Sequence, residues 1–298
     1  MVLALGAAPS QAQPPVRQVL LLQSLDRGNL VVDDFTANFR VDLDQRAGTP
    51  VNVVQVVTGA TGLAGAPERA VVDYIRSTFA DRAAPDLIVT IGGPATIFAR
   101  KYRPELFPDT PLLFAAVDQR FLRDAPLGKN DTAVAVVNDY ARLMDEILQL
   151  RPQTRQVFIV SGSTQLGQFW RRELDKEFRR FQNRLTFVWS DDLSLAEILR
   201  RSANLPRDSA IFYLTFGSDA QGGAYADARV LAELHTTANA PLFGAQSVYF
   251  GHGVVGGTMM SVDDLALNTA EVANRLLNGA PLESVSVPPQ SPEQPIFD

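Results

Sequence analysis

Short apolar runs alternate with amphipathic stretches along nearly the whole chain, and no other feature constrains its fold as tightly. Residues 19–22 (VLLL), 51–57 (VNVVQVV), 87–91 (LIVTI), 112–116 (LLFAA) and 133–137 (AVAVV) read as strands. Between them, residues 32–47 bring Phe35, Phe39, Val41 and Leu43 into a helical pattern, and residues 68–79 form a second helix. A strand that is apolar on both sides must be covered on both faces. Strands of that kind alternating with helices imply an α/β fold with a parallel sheet.

The pattern restarts at Asn138. Asn138 or Asp139 can cap a helix carrying Leu143, Met144, Ile147 and Leu148 on one face. Residues 157–160 (VFIV) are a strand, 165–181 a helix and 186–189 a short strand. Ser194 and Glu197 spell a capping box for a helix to Arg201. Strands at 211–215 and 242–244 flank a helix around 230–235. A strand at 254–260 and a helix at 263–277, closed by Gly279 and Pro281, complete the set. Two α/β sets of similar size within 298 residues predict two lobes. The expected division is residues 16–138 with 254–280 in the first lobe, and 139–253 with 281–290 in the second. Residues 1–15 read as a signal-peptide remnant or disordered start: an apolar run at 2–8 precedes the small-x-small pattern Ser10-Gln11-Ala12, without a basic n-region. Residues 291–298 read as an exit segment, since four prolines lie between 288 and 295.

Composition removes several function classes. A net charge of −6 without any Lys/Arg run argues against nucleic acid and anionic membrane surfaces as partners. The absence of cysteine rules out thiol nucleophiles, zinc–thiolate centres and a disulfide scaffold. There is no G-x-S-x-G elbow, the two histidines, His235 and His252, stand apart, and carboxylates show no paired spacing. No catalytic residue, metal site or cofactor is therefore expected. One alternative stays open. The stretch TGATGLAG at 58–65 resembles the glycine loop of short-chain dehydrogenases, which would make the chain an NAD(P)-dependent oxidoreductase. That site needs an acid at the end of the next strand, where this chain has Ile91-Gly92-Gly93, and no Tyr is followed four residues later by Lys. The match GHGVVG at 251–256 leads into a β-branched run, not a helix.

What remains is a set of turns at the carboxyl ends of strands, where open α/β sheets bind ligands. They supply the candidate ligand-binding residues Ser24, Asp26 and Arg27, then Gly93, Pro94 and Ala95, then Asp118. The second set adds Ser161, Ser163 and Gln165, then Gly217, Ser218 and Asp219, and finally Tyr249. Capping alone also favours Gly, Ser and Asp in such turns. In Gly92-Gly93-Pro94, glycine permits φ > 0 and close approach, and proline suits a first helical turn, so this turn is expected to wall a cleft. Arg27 either clamps a ligand carboxylate through two parallel hydrogen bonds or pairs with Asp26 or Asp33, worth ~0–1 kcal/mol. Tyr249 and Phe216 either stack on a planar ligand or belong to the core.

The segments LLLQSLDRGN, PDLIVTIGGPAT, PLLFAAVDQR, VFIVSGSTQLGQFW and GHGVVGGTMMSVDDLALNTAEVANRLLNG carry a family resemblance. Over residues 15–287 the chain resembles type I periplasmic solute-binding proteins. Within that class it is similar to the ABC-transporter substrate-binding family that also serves as the extracytoplasmic input of bacterial sensor histidine kinases. The resemblance implies two Rossmann-like lobes with parallel sheets joined by three crossovers, near Asn138, 249–254 and 280–284, with the helix at 263–277 returning to the first lobe. It also implies non-enzymatic, periplasmic or extracytoplasmic binding of a small organic solute, for which a carboxylate or an aromatic molecule suits the candidate residues. The implied partner is a membrane-bound kinase or an ABC permease, and the proline-rich tail favours the sensor over a freely diffusing carrier.

Overall fold

The computed structural model describes residues 16–25, 28–58, 68–124, 126–292 and 295–297. The first lobe is built on a sheet of β1 (Arg17–Gln23), β2 (Val51–Val57), β3 (Leu87–Ile91), β4 (Leu112–Asp118) and β5 (Asp131–Val136). The order is β2-β1-β3-β4-β5 and every pairing is parallel. Side chains alternate across each strand. Val19 and Leu21 of β1 therefore join one core, with Phe35 and Phe39 of α1 (Leu30–Arg46). Leu20 and Leu22 join the other, with Val72 and Ile75 of α2 (Glu68–Thr78) and Phe98 of α3 (Gly93–Leu106). Both faces are covered, which is why the strands carry no polar side. The short α4 (Gln119–Asp124) follows β4.

The second lobe repeats the plan. After α5 (Tyr140–Leu150) come β6 (Gln156–Ser161), α6 (Gln165–Glu177), β7 (Thr186–Trp189), α7 (Leu195–Ser202), β8 (Ser209–Thr215), α8 (Asp227–Thr237) and β9 (Leu242–Gly244). The sheet order is β7-β6-β8-β9, again parallel. Side chains cap the helices as their spelling indicates: Asp139 accepts from Arg142 N at 2.8 Å and Ser194 from Glu197 N at 3.3 Å. Then follow β10 (Gly256–Thr258), α9 (Val262–Leu277), which packs against α1, and β11 (Pro295–Phe297), antiparallel to β10.

The division between lobes differs from expectation at two places. Val254 and Met259 share a core with Tyr213 and Leu231, and Val255 N donates to Leu242 O at 2.8 Å. Residues 254–259 thus stay with the second lobe, and the chain crosses at Met260, which joins the first core with Val262. Residues 281–290, expected in the second lobe, return to the first. Val285 is buried in its core, Val137 N donates to Gln290 O at 2.7 Å, and Gln290 N to Ala135 O at 2.8 Å. A proline-bearing segment without periodicity finds its place by pairing with the open edge of β5, which its own sequence does not encode. The third crossing lies between Gln290 and Pro295, and the expected exit segment instead ends in β11 against the second lobe.

Candidate functional site

In a 2-1-3-4-5 sheet the topological switch point falls between β1 and β3, and ligands collect outside the strand ends there. Those two ends carry Ser24 and Gly92-Gly93. Ser24 Oγ donates to Ile91 O at 2.7 Å and accepts from Ala95 N at 2.9 Å, so its hydroxyl ties β1 to the first turn of α3. Gly92 sits at φ 83, and a Cβ there would lie 2.8 Å from Ser24 Oγ. A Cβ on Gly93 would lie 2.4 Å from the Phe121 ring. The glycine pair lets a helix start, a serine and an aromatic ring meet at one point.

Around this point lies a cavity of about 120 Å³ between the lobes. Ser24, Gly92, Gly93, Ala116, Asp118 and Phe121 wall it from the first lobe, and Tyr140, Leu166, Trp170 and Thr215 from the second. Asn138 and Met260 at the crossovers, with Gln246 and Tyr249, complete it. Ala116 has φ 52, where the β4–β5 register shifts between Ala115 and Val117. A non-glycine residue in the left-handed region costs roughly 1–2 kcal/mol, and this one faces the cavity.

The charge in the wall is already matched. Asp118 Oδ1 accepts from Arg120 N and Nη1, both at 3.0 Å. Its Oδ2 accepts from Arg120 Nη1 at 3.0 Å, Asn138 N at 3.2 Å and Asn138 Nδ2 at 3.0 Å. Arg120 then reaches across the lobes to Glu177 at 2.5 Å, with its guanidinium carbon 5.8 Å from the Tyr140 ring centre and 5.7 Å from that of Trp170. The uncommitted polar groups are neutral. Tyr140 and Tyr249 are nearly fully buried, and their hydroxyls make no hydrogen bond among the described residues. Burial pushes the ionisation of both phenols well up, so they remain protonated.

On the far side of the cavity the lobes meet at a single carboxylate. Asp227, opening α8, accepts from Asn29 Nδ2 at 2.7 Å, from Leu30 N at 3.1 Å and from the Tyr213 hydroxyl. Its N–H donates to Gly28 O at 2.7 Å. Gly28 has φ 95, and a Cβ there would lie 2.9 Å from Ala226, so glycine permits the approach. Burial, with a smaller push from nearby Asp33, raises the Asp227 carboxyl to about 6 against the lowering pull of the Tyr213 and Leu30 donors.

Of the residues singled out from sequence, Ser24, Gly93, Asp118 and Tyr249 line the cavity. Pro94 lies in the first turn of α3 and Ala95 is buried in the core behind it. In the second lobe the turns are tied to each other. Ser163 N donates to Ser218 O at 3.0 Å, Ser163 Oγ to Asp219 O at 2.7 Å, and Ser161 N to Ser190 Oγ at 3.0 Å. Asp219 accepts from the N–H groups of Leu195, Gln221 and Gly223, which outweigh burial and hold its carboxyl below the usual range. Gln165 opens α6 and Gly217 turns at φ 115; neither they nor Ser161, Ser163, Ser218 and Asp219 line the cavity. Asp26, Arg27 and residues 59–65 of the glycine loop lie outside the described residues. The strand that precedes that loop in sequence, β2, is an edge strand of the first sheet and does not border the switch point. Sequence reading missed Phe121, Tyr140 and Trp170 as wall residues and placed Asn138 only as a cap and a crossover; the one signal of the three aromatics was their place within a turn or two of the helix starts that follow strand ends and crossovers.

Neither a protein-family model nor a curated protein matches the sequence. Solved structures do. The ABC domain from Streptococcus pneumonia in complex with L-Trp superposes with a TM-score of 0.70 at 16% identity, over 95% of this chain and 92% of that one. A conserved domain protein from Vibrio cholerae gives 0.71 at 17% identity, over 95% and 92%. The fold is that of the type I periplasmic binding proteins. XylFII, solved as the XylFII-LytSN complex, shares this type I binding-protein fold with a TM-score of 0.57 at 16% identity, over 95% of this chain and 98% of that chain. No helix among the described residues is long and apolar enough to cross a membrane.

Proposed function

We propose that this chain is a binding module, not an enzyme, that closes two lobes on a small organic solute outside the cytoplasm. Occupancy would then be read by a membrane-bound partner, a sensor kinase or an ABC permease. The observation that carries the reading is a cavity walled by both lobes and by their crossovers, lined by two tyrosines whose hydroxyls make no hydrogen bond among the described residues. A solute that touches both walls favours the closed arrangement by its differential contacts, and the crossovers absorb the rotation. Ser24, Gly93, Asp118 and Tyr249 are the sequence-legible part of that wall. The solved relatives support the reading, one being an ABC domain with L-Trp and another a complex of two proteins. A thermal-shift screen over aromatic compounds, amino acids, sugars and nucleosides tests it, since a ligand at a hundredfold excess over Kd adds ~2.7 kcal/mol. The expected result is one chemical class that raises Tm and quenches or shifts the emission of Trp170. A flat response across the whole screen would overturn the reading.

A further inference from the structure

We infer that the solute is a small uncharged molecule built on a flat ring, about the size of a phenol or an indole. The inference rests on the binding reading above and narrows it to a ligand class.

Size comes first. A dry apolar cavity of roughly 150 Å³ accommodates benzene; this one measures about 120 Å³ but is partly open, so it holds one ring, with any fused ring or substituent directed to the opening. The walls come second. Phe121, Tyr140, Trp170 and Tyr249 surround the space, with Tyr140 and Trp170 edge to face at 5.2 Å and 77°. Phe121 meets Trp170 edge to face at 6.3 Å and 84°. A ring entering such a cluster meets faces and edges of the orientation that aromatic pairs prefer.

Polarity decides the rest. Asp118 is the one charged side chain lining the cavity among the described residues, and Arg120 and Asn138 already saturate it. Among the described residues no free counter-charge faces an added carboxylate or ammonium, and burying one unpaired against these walls costs far more than burying a neutral group. The phenol hydroxyls of Tyr140 and Tyr249 can each donate or accept once. They suit a ring bearing one or two neutral polar groups. Most of the cavity wall is apolar, so a polyol would lose more hydration here than the few polar groups return.

The test uses the purified chain with indole, phenol, L-tryptophan, benzoate and myo-inositol as probes, read by calorimetry and by Tm. Indole or phenol is expected to bind at least about tenfold more tightly than L-tryptophan or benzoate, with no response to myo-inositol. Tyr140→Phe and Tyr249→Phe keep the ring and remove only the hydroxyl, so each should fold and weaken phenol about tenfold, the worth of one buried hydrogen bond. L-tryptophan differs from indole by an ammonium and a carboxylate. Tighter binding of L-tryptophan or benzoate, or a response to myo-inositol, would overturn the uncharged-ring assignment and leave the binding module standing. Binding by some solute of the wider screen with none by the ring probes would do the same. No binding by any solute would instead remove the binding reading itself.

Discussion

The lobes touch on both sides of the cavity, and the two contacts use opposite electrostatics. On one side α4 meets α6. Arg120 of the first lobe is held between Asp118 and Glu177, Arg123 reaches Glu173 at 2.6 Å, and Phe121 stacks on Phe169 with ring centres 3.7 Å apart. On the other side the starts of α1 and α8 meet. There one buried carboxylate of the second lobe, Asp227, is fed by Asn29, Leu30 and Tyr213, with no cation among its hydrogen-bond partners in the described residues. An ion-paired contact keeps its charges over the ordinary pH range. A carboxylate solvated only by neutral donors does not, so closure of the two sides is under different control.

The largest effect is expected at the ion-paired side. Arg120→Ala leaves Asp118 and Glu177 facing each other's lobe without a cation, and Asp118 is almost completely buried. Removing one partner from a buried pair costs about 3–5 kcal/mol. Urea denaturation should show that loss, and Arg120→Lys should restore only part of it, because an ammonium cannot serve both carboxylates in a planar fork. A loss under 1 kcal/mol would mean that the contact opens freely and that the comparison drawn above is wrong.

The next effect tests the neutral side through pH. Asp227 moves from an ordinary value of 3.8 to about 6 on folding, chiefly by burial. The folded protein therefore holds this proton more tightly than the unfolded chain does. Its contribution favours the fold below about pH 4, is lost as pH rises through about 6, and is level above. Relative to Asp227→Asn, which cannot titrate, the wild type should lose on the order of 2–3 kcal/mol between pH 4 and pH 7. Denaturation midpoints of both proteins at several pH values give the difference directly. Parallel curves would show that Asp227 is better solvated than its surroundings indicate.

The sequence made some of this legible. The strand LIVTI is β3 residue for residue, because a run buried on both faces leaves no other reading. Strand β5 starts earlier than its apolar residues, at Asp131, because Arg103 Nη1 and Gly128 N satisfy that carboxylate inside the sheet. Strand β10 is shorter than the apolar run suggested. Gly256 and Gly257 have φ 128 and 138, and the ladder holds for three residues only. At the site, glycine turns announce where a backbone is approached, so Gly93 was visible. Trp170 was not, since amphipathicity assigns it to an inward face whether that face meets core or cavity. Tyr140 follows a helix cap and shows nothing in the sequence of the crossover beside it. The second-lobe turns looked as suitable as the first-lobe ones, and only their mutual hydrogen bonds, such as Ser163 to Asp219, withdraw them from the cavity.

A smaller effect sharpens the account of the ion-paired side. Gly93→Ala places a methyl against the Phe121 ring, which Phe169 and Trp170 hold from the other directions. The ring has to shift, and overpacking of this kind costs about 1–3 kcal/mol. Here the lower part of that range is expected, because an aromatic ring at the end of a side chain gives more readily than backbone. The same shift narrows the cavity, so phenol affinity should fall further than stability does. Unchanged affinity would place Phe121 outside the part of the wall that the ligand touches.

The smallest effect separates burial from charge within that same contact. Arg123 also bridges the lobes, yet its side chain is 63% exposed, and Glu173 has a second cation in Lys176 at 2.7 Å. The Lys176 hydrogen bond does most to hold the Glu173 carboxyl below its usual range, and Arg123 adds less. Arg123→Ala should therefore cost no more than ~0–1 kcal/mol, the worth of an exposed pair, and the cost should shrink further at high salt. Arg120→Ala should change little with salt, because its partners are shielded from the solution. Both arginines sit on one short helix and both reach α6, so the pair differs in burial more than in sequence position. A salt-sensitive loss at Arg120 equal to that at Arg123 would show that α4 and α6 are joined by surface charge alone. The cavity would then be no better sealed on this side than an open rim.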